Sequence, residues 1–441
     1  MFESSIEFSS YDAEALRGKG LIVTEHEDLG IAIVRYHKSD NEWKTRTHGE
    51  CDRTDATVKN HRSVVYSLTT GLPLSVAPTR RVLHNAVGNG TFSDDEDEFM
   101  VTEYLDGTTI NVFWNPTINS DTGASFGWTL ASRSKIHATC RFTSDRLFRE
   151  LFEEARVNSG VDYDSLNPRY CYSFVMLHPE NRRVLSCESA RVVLVSVASC
   201  VPHSDAGSGD IVSSYATQLG WDEMYAEGNR LATDILPRKV DIEAGGILRY
   251  SMLESVSGTL AGWMITKKSG SWGRVRVLTD GFERCAFLRG DTASRRTNYI
   301  RLMSLDPRGD AIREYAKWYP EEESDIKTLG DEIKAAISEL IKNYVSRHVK
   351  KTKEHTDLPH WTRRPIWDLH GRYIRMRVPI KEAEVFAYFR DIAPSAVNRM
   401  LKNREKENHK AAQTAAAAAA ASAAEAMPTE EEDDAAAPES S

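Results

Sequence analysis

The sequence predicts an α+β protein in which a unit of antiparallel sheets precedes a helical unit. Three observations predict it. Between about residues 61 and 290, short runs rich in β-branched and aromatic residues alternate with Gly, Pro, Asn, Asp and Ser, the pattern of strands joined by turns. After about 290, apolar residues recur every three or four positions, as on one face of a helix. At 441 residues the chain exceeds the roughly 250–300 at which a single core stops growing, so at least two units are expected.

Residues 1 to about 60 open with a Ser-rich turn, a short helix in "YDAEALRGKG" closed by glycines, and a strand in "LGIAIVRYHK". The strand runs then follow in order: "SVVYSL", "LPLSVAP", "EFMVTEYL", "TTINVFW", "GWTLASR", "YCYSFVML", "RVVLVSVASC", "GWMITK" and "RVRVL". One helix interrupts them, "SDRLFRELFEEARVN" (144–158), with Ser144 as its expected cap and Leu147, Phe148, Leu151 and Phe152 as its apolar face. In the helical unit, 291–410, the longest element is 324–351, where Ile326, Leu329, Ile333, Ile337, Ile341 and Val345 define one packing face. Residues 381–403 supply one or two further helices. The alanine-rich tail from about 411 favours helix in isolation but has nothing with which to bury a core, and is expected to be disordered or transiently helical.

Composition removes several classes of function. No apolar run approaches the ~18 residues of a membrane span, and "MFESSIEFSS" carries acid where a signal peptide carries base, so an intracellular, non-secreted protein with no membrane partner is expected. The six cysteines are far apart with no C-x-x-C pair, which argues for reduced, mostly buried thiols. The net charge of −9 is concentrated in "SDDEDEF" (93–99) and "EEEDD" (430–434). Outside those runs, "TRRV" (79–82), "SRHVKKTK" (346–353), "WTRRP" (361–365) and "RMLKNREKENHK" (399–410) form local positive surfaces that permit a polyanionic ligand.

Single motifs have plain readings. Asp106-Gly107-Thr108 in "EYLDGTT" reads as a turn: Asp caps, Gly takes a positive φ and Thr starts a strand. Arg274 and Arg276 alternate along a strand and can be its solvated face. His348, His355, His360 and His370 have neither H-E-x-x-H nor zinc-finger spacing, and no metal site is expected. The basic segment around them, with Trp361, Trp367 and Tyr373, reads either as a packed helical hairpin or as a surface that stacks on a nucleic acid strand. "AVGNGTF" (86–92) precedes an acidic loop rather than a helix and is no dinucleotide fingerprint.

Taken together, "HRSVVYS" (61–67), "APTRRVLHN" (77–85), "EYLDGTTINVFW", "LASRSKI" (130–136), "YCYSFVMLHPENRRVL" (170–185), "LAGWMITK" (260–267) and "GRVRVLTDGF" (273–282) succeed one another in an order that resembles the phage-type RNA ligases. These are a branch of the covalent nucleotidyltransferases, and within it the order looks closest to ligase-like proteins of large (giant) DNA viruses. The resemblance covers about residues 20–290. It implies a nucleotidyltransferase domain of antiparallel sheets, ATP-grasp-like, over 61–290, with residues 1–60 as its N-terminal part and a host-cytoplasmic, viral-factory or virion location.

The resemblance also implies a mechanism. A lysine in K-x-D-G attacks the α-phosphate of ATP and the lysyl-AMP passes to an RNA 5′-phosphate, with Mg²⁺ and cations offsetting charge. Here Tyr104 stands at that lysine, between Glu103 and the matching Asp106 and Gly107, and no lysine lies between Lys59 and Lys135. The two family glutamates fall on Ser173 and Ala261, whereas Arg62, Arg133, Lys135, Arg274 and Arg276 retain cations at phosphate-binding positions.

Three functions are compatible with this pattern. One is a degenerate, pseudoenzyme form that binds a nucleotide, single-stranded RNA or nucleic acid ends through a basic groove. A second is an active ligase using ATP and Mg²⁺ with an atypical first motif. The third is a structural or virion-associated interaction protein on a ligase-derived scaffold.

Overall fold

A computed structural model describes residues 5–36, 55–78, 82–83, 98–119, 121–204, 211–239, 261–270, 272–306 and 308–425. The G-x-G of "AVGNGTF", most of the acidic run after it, Cys51, Arg80 and Arg81, and the acidic end of the tail lie outside these residues. The chain divides into two compact units, Met1–Arg289 and Gly290–Ser441.

The first unit is built on three sheets. Strands β1 (Ser5–Ser9), β8 (Thr108–Ile118), β9 (Ser125–Ala131), β10 (Tyr170–Leu177), β11 (Arg191–Ser204) and β12 (Ile211–Gln218) form a six-stranded sheet in the order β1-β12-β11-β10-β8-β9. Every neighbouring pair in it is antiparallel. Strands β2 (Ile22–His26), β3 (Ile31–Arg35), β4 (Val64–Ser67) and β5 (Pro73–Val76) make an antiparallel sheet in sequence order. A third sheet joins β6 (Val82–Leu83), β14 (Val275–Leu278), β13 (Gly262–Lys267) and β7 (Phe99–Glu103), with β6 parallel to β14.

Two cores flank the six-stranded sheet. On one face, Phe148, Leu151, Phe152 and Ala155 of α3 (Phe148–Asn158) and Trp221, Met224 and Leu231 of α4 (Trp221–Leu231) meet Tyr172, Phe174 and Met176 of β10. The other face meets the β2–β5 sheet through Ile31, Ile33, Val64, Val76, Phe113 and Ala216. Helix α1 (Ala13–Gly18) starts as predicted, its first turn capped by the Asp12 carboxylate accepting from the amides of Glu14 and Ala15. A short α2 (Ala56–Asn60) precedes β4.

Several expectations need correction here. Ser144 does not cap α3: the helix begins after Leu147, and the Ser144 hydroxyl donates to Glu180 and accepts from the Arg146 amide. Helix α4 interrupts the strand-rich block unannounced, because Asp, Glu and Asn on its outer face mask the apolar spacing of Trp221, Met224 and Leu231. Helix α5 (Asp280–Arg289) starts directly after β14. Of the five cysteines described, all free, only Cys171 and Cys285 are buried, and the other three are half-buried.

The second unit is helical: α6 (Arg295–Leu305), α7 (Asp310–Trp318), α8 (Glu323–Tyr344), α9 (His360–Met376), α10 (Glu382–Asp391) and α11 (Pro394–Glu425). The predicted face of α8 is the packing face. Ile333 and Ile337 are buried against Ile300, Trp361, Val385 and Leu401, Leu329 is also buried, and Ile326, Ile341 and Val345 are half-buried at its margins. The helix ends in a π-helical turn, Val345–Val349. From 411 onwards α11 runs on through the alanines to Glu425, consistent with alanine's helix propensity.

Candidate functional site

Several of the motif segments meet at the third sheet and at the turn that follows β10. The Tyr104 amide donates to the Gly262 carbonyl at 2.8 Å, so the end of β7 sits beside the start of β13. Register then aligns Thr102 with Met264 and Arg276, and Gly262 with Leu278. Directly paired residues share a face, and alternation along each strand adds Tyr104 and Thr266 to it. Gly262 is required there: its φ is +142°, and a Cβ would lie 2.1 Å from the Val277 carbonyl oxygen.

One end of this face is apolar. Tyr104, Ala261 and Phe282 are buried together, with Val184, Leu185, Met264 and Leu278 around them. The Tyr104 ring meets Phe282 edge-on, the centroids 5.8 Å apart. Two positions that the resemblance assigns to a lysine and a glutamate therefore belong to one hydrophobic cluster. Phe282, from the first turn of α5, completes it. The sequence carries this residue in "TDGF", but nothing in its spacing shows that α5 folds back onto Tyr104.

The other end carries unmet donors. Arg276 Nε and Thr266 Oγ1 are both buried and make no hydrogen bond. Arg274 is 7% exposed and Arg276 is half-buried, so the expectation that both arginines form a solvated strand face fails.

Asp106 and Gly107 work in packing. The Asp106 carboxylate accepts from the amides of Val184 and Leu185, both at 2.8 Å, which fastens the turn after β10 to the start of β8. Asn181 adds a bond to Thr108 Oγ1 at 2.9 Å. Gly107 does not take a positive φ. It is glycine because a Cβ would lie 2.5 Å from the Met176 carbonyl oxygen and 2.6 Å from Val175 Cγ1. Thr108 does start a strand. Glu103 Oε1 accepts from the Arg238 amide at 3.2 Å.

Ser173 is buried in the six-stranded sheet, donating to Asn111 Oδ1 at 2.9 Å. Register extends this polar row to Ser196, whose hydroxyl accepts from Gln218 Nε2 at 3.0 Å. The row lies on the face that meets the β2–β5 sheet. Gln218 Oε1, and the hydroxyls of Ser63 and Ser75 on the β4–β5 side, are buried without a hydrogen-bond partner.

The remaining cations gather elsewhere. Arg133 donates to the Tyr36 carbonyl at 2.9 Å and lies 5.0 Å over the Tyr36 ring, while the Tyr36 amide donates to the His61 carbonyl. Arg62 follows His61 and donates to the Pro78 carbonyl at 3.0 Å. Burial pushes the His61 imidazole down to about 4, its ring held between the Thr57 carbonyl and the Tyr66 hydroxyl. Lys135 is exposed. Register and contacts thus join Tyr104, Ala261, Asp106 and Arg276 around the third sheet and join Arg62 with Arg133 beside Tyr36.

Adenylation would need an amine at the α-phosphate and carboxylates for a divalent metal. The residues here do not fit. The amine's place is apolar, Ser173 and Ala261 carry no charge, Asp106 is engaged with backbone amides, and among the described residues no group of three His, Cys, Asp or Glu side chains is placed to hold a metal.

No protein-family model matches the chain. A stretch of 112 residues is 29% identical to an RNA ligase of Rhodothermus phage RM378 and covers 23% of this chain and 23% of the phage protein. Among solved structures, an archaeal ATP-dependent RNA ligase is similar at 12% identity and a TM-score of 0.39, covering 73% of this chain and 78% of its own. A putative ATP-dependent DNA ligase from Aquifex aeolicus has 16% identity and a TM-score of 0.39, covering 75% and 79%. A Naegleria gruberi RNA ligase mutant with ATP and Mn has 11% identity and a TM-score of 0.32, covering 47% and 56%. Among the described residues no helix is long and apolar enough to cross a membrane.

Proposed function

We propose that this chain is an RNA ligase-like protein of nucleotidyltransferase fold that has lost lysine adenylation and binds phosphates of a nucleotide or of nucleic acid ends. Its nucleotidyltransferase-like domain ends with α5. The observation that carries the reading is the cluster of Tyr104, Ala261 and Phe282, which fills with carbon the place where the resemblance needs an ammonium and a carboxylate. Motif order alone supports kinship with ligase-like proteins of large DNA viruses and an intracellular site of action.

Binding falls to the donor end. The Arg276 Nε and Thr266 Oγ1, buried and without acceptors, suit a phosphate oxygen, and a guanidinium presents its donors as a fork that matches two oxygens. Arg62 and Arg133 add charge at a second place, where Arg133 is held by Tyr36. In the buried polar row of Ser173, Asn111, Ser196 and Gln218, Gln218 Oε1 remains unsatisfied, an acceptor of the kind that hydrogen-bonds a base amine or a ribose hydroxyl.

Incubation with α-labelled ATP and Mg²⁺ tests the first half of the reading. No acid-stable adduct is expected, and a stoichiometric adduct would overturn it. Binding of an RNA carrying a 5′-phosphate should weaken with salt, and Arg276→Gln should reduce both the affinity and the salt slope. RNA binding that is absent at low salt would leave the interaction-scaffold reading in its place.

A further inference from the structure

The second unit carries a surface that its own packing does not use. Helix α9 buries Trp361, Thr362, Ile366 and Leu369 and turns the opposite side to solvent. On that side Trp367 is 64% exposed, although an indole of this size ordinarily anchors a core. The Arg364 guanidinium lies 5.0 Å from the ring centroid and pairs with Asp368, which steadies the indole without covering it.

Four residues on, where the next side chain of the stripe would cover the ring, the sequence has Gly371. Glycine inside a helix costs about 1 kcal/mol relative to alanine, and packing does not demand it here. A Cβ at Gly371 would meet only the Arg375 guanidinium, at 3.7 Å. The stripe continues with Arg375 and exposed Ile374, and just past the helix end come Arg377 and exposed Val378. Among the described residues the guanidinium groups of Arg375 and Arg377 have no hydrogen bond or ion pair, and Asp368 is the only acidic residue between His360 and Lys381.

We propose that this face of α9 binds single-stranded nucleic acid, with an unpaired base stacked on Trp367 over the space left by Gly371 and the phosphates beside Arg364, Arg375 and Arg377. Stacking on an aromatic ring with flanking cations suits a single strand, whose bases expose their π-faces, and not a duplex, whose bases are stacked on each other. An excess of unpaired arginine on an aromatic surface is complementary to a polyanion. The site is separate from the donors of the first unit and does not rest on the loss of adenylation.

The test uses the full-length chain and a short fluorescent oligouridylate or oligodeoxythymidylate, followed by anisotropy. Trp367→Ala is expected to weaken binding about ten-fold, the range for loss of one base stack, and Trp367→Phe to restore most of it. Arg375→Gln with Arg377→Gln should lower the slope of log affinity against log salt by about 1 to 2. Gly371→Leu, which covers the indole while improving helix propensity, should raise the melting temperature and still weaken binding. These substitutions leave binding at the first unit intact, and Arg276→Gln leaves the Trp367 effect intact, so the two proposals fail separately. Unchanged affinity in Trp367→Ala overturns the inference. So does a Trp367→Ala defect seen only with phosphatidylserine vesicles, which would mark a membrane-surface helix instead.

Discussion

Two ends of one sheet face behave differently. Where β13 begins, Tyr104, Ala261, Phe282 and Leu278 form an apolar cluster, and further along the same face Arg276 Nε and Thr266 Oγ1 are buried donors without a hydrogen bond. Tyr104 and Ala261 are physically consistent with one another. An aromatic ring in the place of an ammonium is acceptable only if the carboxylate across from it also goes, since a lone buried charge costs several kcal/mol. Arginine in the place of lysine keeps the charge and the donors. On the function proposed above, the difference places the lost amine and the phosphate-binding donors in separable parts of the same sheet.

The comparison can be broken most directly at its apolar end. Tyr104→Lys alone places an unpaired ammonium in the cluster and should cost about 3–5 kcal/mol of stability without yielding an adenylate. Adding Ala261→Glu should recover part of that loss, measured by the denaturant midpoint. A stable, labelled Tyr104→Lys protein would show that only the amine was missing.

Acid titration separates the third sheet from the β3–β4 region next to Arg62. Folded, His61 stays neutral down to about pH 4, whereas an unfolded histidine takes up its proton near 6.5. Between these values the unfolded state binds more protons, so stability falls as pH falls, by an amount on the order of 3 kcal/mol in total, and is flat in this group above 6.5. His61→Gln should flatten that part of the stability-pH curve, and an unchanged curve would assign the acid loss elsewhere.

Asp106→Ala should cost about 2 kcal/mol, because the amides of Val184 and Leu185 lose their acceptor in a half-buried turn. A neutral effect on stability combined with lost nucleotide binding would return Asp106 to the role the motif suggests. The smallest effect belongs to the donor end. Arg276→Gln should change stability by about 0.5 kcal/mol or less while lowering the salt slope of polyanion binding by about 1. A large loss of stability would make Arg276 a structural residue.

Much of the fold was legible because strands announce themselves locally. The run "YCYSFVML" is β10, "TTINVFW" lies in β8 and "GWMITK" is β13, since branched and aromatic residues bounded by turn residues need no distant partner to be recognised. Helix α8 declared its face through Leu329, Ile333 and Ile337. Elements whose apolar spacing is diluted by polar residues, such as α4, were not legible. The site was legible as an order of motifs, but not as geometry. Nothing near Tyr104 in sequence predicts Phe282, and nothing near Asp106 predicts the amides of Val184 and Leu185.

The sequence by itself determined which side chains are present and which are missing: a phenol at Tyr104, no charge at Ser173 or Ala261, and arginines at 274 and 276. Only tertiary structure decided what those substitutions mean. Gly107 could be turn glycine or contact glycine until β10 came within 2.5 Å of where its Cβ would be. Trp361 and Trp367, six residues apart in one basic segment, are alike as sequence, yet the first is buried against α8 and α10 while the second faces water. The physical reason is that burial and charge pairing are sums over neighbours brought from far along the chain, and a local pattern sets which contacts are possible but not which ones form.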